Sequence, residues 1–566
     1  MILIFISWIY ILFTTINLGY SFNKIISLKN KDFVITAILG LFCTTILASF
    51  WAIFERINIE FHIFFAVLNL FLLIKFRAPI SEIYKTFIAE FLQLHIVLKT
   101  YLIIISFLIV AQCASIPFVI DNESYYIQTV KWLNEYGFVK GLVNLHLFLG
   151  QMSGWHITQS VFSFSFLYKN FNDLSGFCLL LGNIFAIQKL SEYYKNGNQN
   201  YLVLGLFPLF NIFFFQFISA PSPDIPVYVI SFIVFFYFLE NFKNITSEAF
   251  NLIVILVLFL LYIKSTTLTF AILPVILFLL HFKLLSKKLL LPIIITVLVF
   301  FIFVTKNMII CGSPIYPSKL FKSVTMDYAI PESVQGFYYD QIKYFGFFLT
   351  ADQYNAMSVT DLFLTWISMP KLNGLFNKIA VLLIIIVPFF IYKFQNKKTF
   401  WTLYFVMALQ LALFFITSPQ YRFFMNFILF FSIFCFVAIF QNKKVIYTIL
   451  ALSLLPTMIV LFVPINLNRF ANHKFMLEIS NFSTENILYP YQNSKSNSPF
   501  RIIQLGNLRY NSPIKNDFFW ANGDGELPCV DEKQIDYFKK YFNTIPQMRT
   551  NDLKDGFYAK KLSENE

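Results

Sequence analysis

Blocks of roughly 17 to 22 consecutive apolar residues recur along most of this 566-residue chain. A helix of that length crosses the hydrocarbon core of a bilayer, whereas the elements of a water-soluble domain alternate apolar with polar residues. Only 13% of the residues are charged, about half of the usual share in soluble proteins. The sequence therefore predicts an all-α polytopic membrane protein with about 14 transmembrane helices. We place the spans at residues 1–19, 32–54, 57–75, 97–118, 174–191, 201–219, 225–241, 249–263, 266–282, 289–305, 376–392, 399–417, 423–440 and 445–463.

The distribution of basic residues predicts which side of the membrane each loop occupies. If the N-terminus lies outside, the segments left inside carry eighteen Lys or Arg residues, and the short segments left outside carry only Arg56, Lys264 and Arg422. Short inside loops are enriched in Lys and Arg, so this orientation is favoured. The Lys and Arg residues of the predicted inside segments thus explain the net charge of +13, which does not indicate nucleic-acid binding. The apolar stretch from His156 to Leu167 would break the alternation of spans, and we interpret it as a re-entrant or surface-lying helix.

Three larger segments then lie outside: residues 119–173, residues 305–375, and a tail from residue 465. In the first, Tyr126, Val130 and Leu133 share one face of a surface helix that Asp121 caps and Gly137 ends. The tail has 13 basic and 12 acidic residues and reads as a small soluble α+β domain. Its predicted elements are a strand at 501–505 and a helix at 531–542, with Gly506, Gly523 and Gly525 in turns. A disulfide between Cys311 and Cys529 is left open.

Acidic candidates lie where predicted spans meet the outer face. Asp121 and Glu123, in the sequence DNESYY, directly follow a span and can serve as a general base and as a ligand for a hydroxyl or metal. Asp224, in SPDIP, is presented by a turn that three prolines stiffen. The structural alternative is that both aspartates cap helices and that Glu123 interacts with a helix dipole.

Basic candidates lie at the same predicted face. Lys264 and Arg422 are isolated positive charges on the side that avoids them, which suits an anionic ligand such as a phosphate. For Lys264 a contact with a lipid headgroup stays an alternative. Lys306 precedes a Gly-Ser-Pro turn, and His146 and His156 are loop residues that we keep as candidates for substrate contact. Sequence motifs of nucleotide-binding loops, serine hydrolases and zinc hydrolases are absent.

In their order along the chain and in the membrane face at which they are predicted to lie, these residues resemble the GT-C superfamily of glycosyltransferases. That superfamily includes protein O-mannosyltransferases and aminoarabinose transferases. The similarity lies in an acidic pair before an aromatic surface helix, a later acid in a proline-bearing turn, basic residues at outer helix ends, and the turn GSPIYP at 312–317. This chain departs from the commoner pattern because Asn122 separates the two acids and three spans precede the first outer loop. The resemblance divides the chain into N-terminal helices (1–96), a GT-C-like catalytic core (97–464) and an extracytoplasmic C-terminal domain (465–566).

The resemblance implies an integral membrane enzyme that moves a sugar from a polyprenyl-phosphate donor to a glycan, lipid or protein acceptor at the outer face. We expect a bacterial cell membrane as its location. Asp121, aided or replaced by Glu123, would be the base, Asp224 would orient the acceptor or a divalent cation (Mg²⁺ or Mn²⁺), and Lys264, Arg422 and Lys306 would hold the donor phosphate. Two rivals stay open: a polysaccharide polymerase or ligase that uses diphosphate-linked glycans, and a flippase or transporter of a lipid-linked glycan. Scarce intramembrane charge argues against the transporter.

Overall fold

The computed structural model describes residues 1–28, 31–168, 173–321, 326–395, 397–463, 482–496, 498–515 and 518–563. The protein is mostly helical. The first half contains α1 (Ile2–Ile25), α2 (Phe33–Ala52), α3 (Ile59–Lys75), α4 (Arg77–Gln93), α5 (Ile96–Cys113), a π-helix (Asn122–Tyr126), α6 (Ile127–Glu135), α7 (Gly154–Val161), α8 (Leu174–Asn196), α9 (Gln199–Gly205), α10 (Asn211–Ile218), α11 (Asp224–Asn241) and α12 (Ser247–Ile263). The second half contains α13 (Ile272–Leu280), α14 (Phe282–Leu285), α15 (Leu290–Cys311), α16 (Glu332–Phe347), α17 (Ala351–Ala356), α18 (Val359–Ile367), α19 (Lys371–Phe394), α20 (Lys398–Thr417), α21 (Tyr421–Ile439) and α22 (Lys443–Phe462).

All fourteen predicted apolar blocks are helical. Within the described residues, 11 helices are long and apolar enough to cross a membrane, or 13 if each of two bent pairs is counted as one span. The bends, of 87° and 90°, follow Lys75 and Leu280. The remaining block is α12, a shorter apolar helix of 17 residues. The chain is thus a multi-pass membrane protein with slightly fewer full-length spans than the sequence predicts.

The helix ends gather at two faces of the bundle. At one face, which we call the tail face, the tail contacts the start of α1 and the end of α5: the amide of Leu3 donates to the carbonyl of Leu488, and Tyr491 donates to Ala114. At the other end lies Lys31, which pairs with Glu82 at 2.8 Å. Which face is extracytoplasmic stays a prediction from the lysine distribution.

Small residues let α1 and α2 approach each other closely. A Cβ atom added to Gly19 would lie 1.9 Å from the carbonyl oxygen of Thr36, and one added to Gly40 would lie 1.9 Å from that of Thr15. The hydroxyl of Thr15 donates a hydrogen bond of 2.7 Å to the carbonyl of Ile11 in its own helix. Glycine and threonine at such a crossing allow backbone contact between membrane helices.

The first outer segment forms a folded layer on the tail face. A π-helix and α6 are continuous, and Gly137, at φ +70°, follows their end, as the sequence predicts. The prediction for His156 to Leu167 is wrong in its bounds: α7 starts at Gly154, with Ser153 as its N-cap, and stops at Val161. Its burial contradicts the surface-lying alternative, whereas the re-entrant alternative stays a prediction. Every residue of α7 is buried, so it is an internal support for α6.

The tail is a small α+β unit, and its predicted elements are confirmed. Within its described residues the order is β1 (Phe500–Leu505), β2 (Leu508–Pro513), α23 (Glu532–Phe542), β3 (Thr544–Met548) and β4 (Phe557–Lys561). β1 pairs with β2 and β3 with β4, both antiparallel. Asp531 caps α23, and Gly506 and Gly523 have positive φ. The start of the tail, 464–481, lies outside the described residues.

All six cysteines lie within the described residues, and all are free thiols. Cys311 and Cys529, the pair left open by the sequence, are each buried without a disulfide.

We predict that Gly40→Ala destabilises the bundle, because its methyl group would overlap the backbone of α1. Overpacking typically costs about 1–3 kcal/mol. Thermal unfolding of the purified protein in detergent should show a clear drop in Tm. Gly336→Ala is the matched control, since its nearest neighbour is the Cε atom of Lys319 at 3.6 Å. Equal Tm values for the two variants would contradict the close α1–α2 contact.

Candidate functional site

Two ion pairs lie side by side at the tail face. Arg422 Nη1 is 2.5 Å from Asp121 Oδ2, and the Lys264 ammonium group contacts the carboxylate of Asp224. We call these four residues the charged cluster. The partners are far apart in sequence, with 301 residues separating Asp121 from Arg422. The structure thus brings together four of the side chains that the sequence singles out.

Helix ends position each member of the charged cluster. Asp121 precedes the π-helix, and Asp224 is the first residue of α11. Lys264 follows the last residue of α12 in an extended conformation, and Arg422 is in the first turn of α21. Asp121 makes no side-chain cap hydrogen bond; its carboxylate pairs with Arg422 and also accepts a hydrogen bond of 3.4 Å from the hydroxyl of Tyr126.

An aromatic ring connects the two ion pairs. The Nζ atom of Lys264 lies 4.5 Å from the ring centroid of Phe423, and the Cζ atom of Arg422 lies 5.1 Å from the same centroid. Tyr228 fixes the backbone here by donating a hydrogen bond of 2.7 Å to the carbonyl of Arg422. Both cations are therefore held over one ring, where an anion between them would meet two positive charges.

A cavity of about 770 Å³ opens beside the cluster. Asp121, Arg422 and Phe423 line it, whereas its other walls are mainly aromatic and aliphatic. Its other wall residues come from the first outer segment, α10, α16, α19, α22 and the tail. They include Ile212, Phe213, Pro456, Ile459 and Val460 of α10 and α22, and the aromatic residues Tyr125, Phe148, Tyr338, Phe518 and Trp520. The cavity accordingly combines a charged end with long apolar walls, as ligand sites for amphipathic molecules do.

Glu123 has a different position from the one predicted. Its carboxylate accepts hydrogen bonds from the hydroxyl of Ser494 (2.5 Å) and the amide of Lys495 (2.9 Å), and its carbonyl accepts from the amides of Asn522 and Gly523. Burial raises the pKa of Glu123, and these hydrogen bonds oppose that rise. Glu123 thus holds the tail on the first outer segment, because the tail supplies its donors.

His146 also contacts the tail. Its Nδ1 atom accepts a hydrogen bond from the amide of Phe148 at 3.1 Å, so the proton is on Nε2, which donates to the carbonyl of Trp520 at 3.2 Å. Burial lowers the pKa of His146 to about 4. The residue is neutral at physiological pH and fixes the backbone of Trp520 at the cavity wall.

Lys306 and His156 lie under the first outer segment, away from the cavity wall. The ammonium group of Lys306 donates to the carbonyl of Met152 at 2.5 Å and lies over the rings of Tyr262 and Phe303. The ring of His156 lies 4.6 Å from that of Tyr126. Neither residue is part of the cavity lining, and the same is true of Lys264 and Asp224, which are connected to the lining through Phe423 and Arg422. The predicted phosphate contact of Lys306 and substrate contact of His156 stay predictions.

The predicted option of a divalent cation has no ligand set in the described part of the chain. No group of three or more His, Cys, Asp or Glu side chains converges there. Asp121 and Asp224 are each occupied by a cation of the protein itself. Asp121 and Asp224 therefore do not fit a metal site.

The sequence did not predict the aromatic side of the cavity. Phe148, Tyr338 and Trp520 come from three separate segments, the first outer segment, α16 and the tail. Their only sequence signal is the high aromatic content of those segments, which indicates a packed surface but not which rings face a cavity.

We predict that Glu123→Ala loosens the tail. The substitution removes the acceptors of Ser494 and Lys495, and hydrogen bonds to a charged group are worth about 1.5–3 kcal/mol. Hydrogen exchange at the amide of Lys495 should become roughly tenfold to hundredfold faster. Glu485→Ala changes an exposed carboxylate in the same tail and serves as the control. Unchanged exchange at Lys495 in Glu123→Ala would show that this contact does not hold the tail.

We also predict that acid weakens the docking of the tail through His146. Its folded-state pKa is depressed to about 4, so its contribution is complete above the ordinary value of 6.5 and is lost progressively as pH falls from 6.5 towards 4. The full effect is about 3 kcal/mol. The drop in Tm from pH 7.5 to pH 4.5 should be smaller in His146→Gln than in the wild type. His95→Gln, at an exposed position, should behave as the wild type, and identical pH profiles for His146→Gln and the wild type would refute the prediction.

Comparison with known proteins identifies the family and leaves the activity open. No curated protein and no solved structure shows significant similarity to the chain. One family model, described as a domain of unknown function (DUF8201), matches residues 1–429, which contain all four members of the charged cluster and exclude the tail. The chain therefore belongs to the DUF8201 family.

Proposed function

We propose that the protein is a membrane glycosyltransferase that moves a sugar from a polyprenyl-phosphate donor to an acceptor hydroxyl at the tail face. The observation that carries the proposal is the cavity, in which an acid and a base, Asp121 and Arg422, stand at one end of long apolar walls. A donor of this class has a phosphate, a sugar and an isoprenoid chain. The cavity offers a matching environment for each of them.

The apolar side of the cavity suits the isoprenoid chain. Ile212 and Phe213 of α10 and Pro456, Ile459 and Val460 of α22 form this wall. Both helices belong to candidate membrane spans, and Ile459 is about half exposed. A lipid chain can thus remain in contact with the hydrocarbon of the bilayer while its head reaches the charged cluster.

The charged cluster suits the phosphate. Its two acids and two bases sum to zero charge, so an entering phosphate finds cations whose desolvation is already offset by partners. Arg422 and Lys264 share the ring of Phe423, and a phosphate between them can take both as donors. In exchange, the carboxylate of Asp121 is released from Arg422 and becomes available to an acceptor.

The reaction follows from these positions. The acceptor hydroxyl loses its proton to Asp121, and its oxygen attacks the anomeric carbon from the side opposite the phosphate. The bond between that carbon and the phosphate oxygen breaks, and the electron pair leaves with polyprenyl phosphate. Arg422 and Lys264 stabilise the added negative charge, and the configuration at the sugar carbon is inverted. Asp224 keeps Lys264 in place and orients it.

A second candidate, a ligase that uses diphosphate-linked glycans, is favoured by one observation. Helix α16 lies in the outer segment 305–375, and its residues Tyr338, Gln341 and Phe345 line the cavity next to Arg422. A ligase of this kind would depend on Arg422 and this segment more than on Asp121. The experiment below separates the two candidates.

We predict that Asp121→Asn lowers sugar transfer from a polyprenyl-phosphate donor by a factor of about 10² to 10⁴, the usual contribution of a general base. The assay uses the purified full chain in lipid nanodiscs and a radiolabelled sugar on the donor. Asp352→Asn, at an exposed position in α17, is the matched control and should retain wild-type activity. Wild-type transfer by Asp121→Asn would remove Asp121 from the mechanism, and loss of transfer only in Arg422→Ala would favour the ligase.

A further inference from the structure

An aromatic surface forms the wall of the cavity next to Asp121. The rings of Trp520 and Phe148 are stacked, with centroids 5.0 Å apart and planes at 25°. Tyr338 lies 5.4 Å from Phe148, and Tyr125 lies 5.5 Å from it. All four rings line the cavity. We call them the aromatic wall.

The chemistry of the aromatic wall matches a pyranose ring. One face of a pyranose carries mostly C–H groups, which pack on the negative face of an aromatic ring, while its hydroxyl groups at the edge need hydrogen-bond partners. Two amide side chains, Gln151 and Gln341, lie on the lining of the same cavity and can supply such partners. Ile212, Ile459 and Val460 suit the isoprenoid chain, so the aromatic wall is the part of the lining that best suits a polar, ring-shaped ligand.

The tail supplies the outermost ring of this wall. Trp520 is held by the hydrogen bond from His146 to its carbonyl, and the neighbouring Asn522 donates its amide to the carbonyl of Glu123. The family match ends at residue 429, so Phe148 and Tyr338 lie within it and Trp520 lies outside. The tail therefore supplies one part of the aromatic wall, and the family region supplies the rest.

We propose that the aromatic wall is a sugar-binding subsite in which Trp520, contributed by the tail, stacks on a pyranose ring. This inference rests on the proposed function in that the same cavity would hold donor and acceptor. It assigns the tail a role in substrate selection and separates that role from the chemistry at Asp121. The ring belongs either to a carbohydrate acceptor or to the sugar of the donor.

The test measures binding, so it does not require turnover. The full chain in nanodiscs is titrated with chitotriose and with maltotriose, and saturation-transfer NMR reports the affinity. Trp520→Leu keeps an apolar side chain at the position but removes the aromatic face, and should weaken binding at least tenfold. Trp520→Phe restores an aromatic face and should bind within about threefold of the wild type. Tyr541→Leu changes an exposed ring of α23 in the tail, which contacts Tyr537 and is not on the cavity lining, and should bind as the wild type.

A second arm distinguishes the source of the ring. The same proteins are titrated with polyprenyl phosphate and with polyprenyl-phosphate glucose. If Trp520→Leu weakens only the soluble sugars, the subsite takes the acceptor; if it weakens only the glucose-bearing lipid, the subsite takes the donor sugar. Tyr338→Leu, a change in the membrane part, should reproduce the loss if Trp520→Leu does not fold.

The proposal is overturned if no sugar-bearing probe binds the wild type, or if Trp520→Leu and Tyr338→Leu both bind every sugar as the wild type does. The transfer assay on Asp121→Asn is independent of this outcome. Sugar binding by an Asp121→Asn variant that has lost transfer would support both proposals, and transfer without any effect of Trp520 would leave only the proposed function.

Discussion

The ion pair between Arg422 and Asp121 determines how the tail face is arranged. An unpaired charge at the end of an apolar helix is energetically costly. Only 13% of the residues in this chain are charged. The pair joins the first outer segment to α21 across 301 residues of sequence, and the second pair joins α11 to the end of α12. Because Phe423 lies under both cations, the two pairs form one cluster at the mouth of the cavity.

The position of the tail depends on contacts with the first outer segment, and the tail in turn supplies residues to the cavity wall. Residues of the first outer segment that are not in the charged cluster, Glu123 and His146, provide the contacts that hold the tail in place. Acidic residues two positions apart therefore have separate tasks: Asp121 faces Arg422 and the cavity, whereas Glu123 faces the tail. Residues two positions apart in a helix point to nearly opposite sides, so Asp121 and Glu123 can have different partners although they are close in sequence.

Local patterns in the sequence were sufficient to predict the secondary-structure elements. They were not sufficient to predict which distant residues each side chain contacts. Apolar block length predicts the membrane helices, the predicted strand at 501–505 and helix at 531–542 correspond to β1 and α23, and the position of Gly137 predicts the end of α6. The surface-lying alternative for α7 was wrong because an apolar run does not distinguish a helix at a surface from one buried in protein. The partners of Glu123 and Lys306 could not be predicted for another reason: Ser494 and Met152 are distant in sequence and unremarkable in type.

The central proposal is that the cavity binds a lipid-linked phosphate, with the phosphate group at Arg422 and Lys264. Cryo-electron microscopy of the full chain with added undecaprenyl phosphate tests this claim directly. The account predicts phosphate density between the two cations and isoprenoid density along Ile212, Phe213 and Ile459, with the side chain of Asp121 released from Arg422. A lipid bound elsewhere, with the Asp121–Arg422 pair intact and the cavity without lipid density, would contradict it.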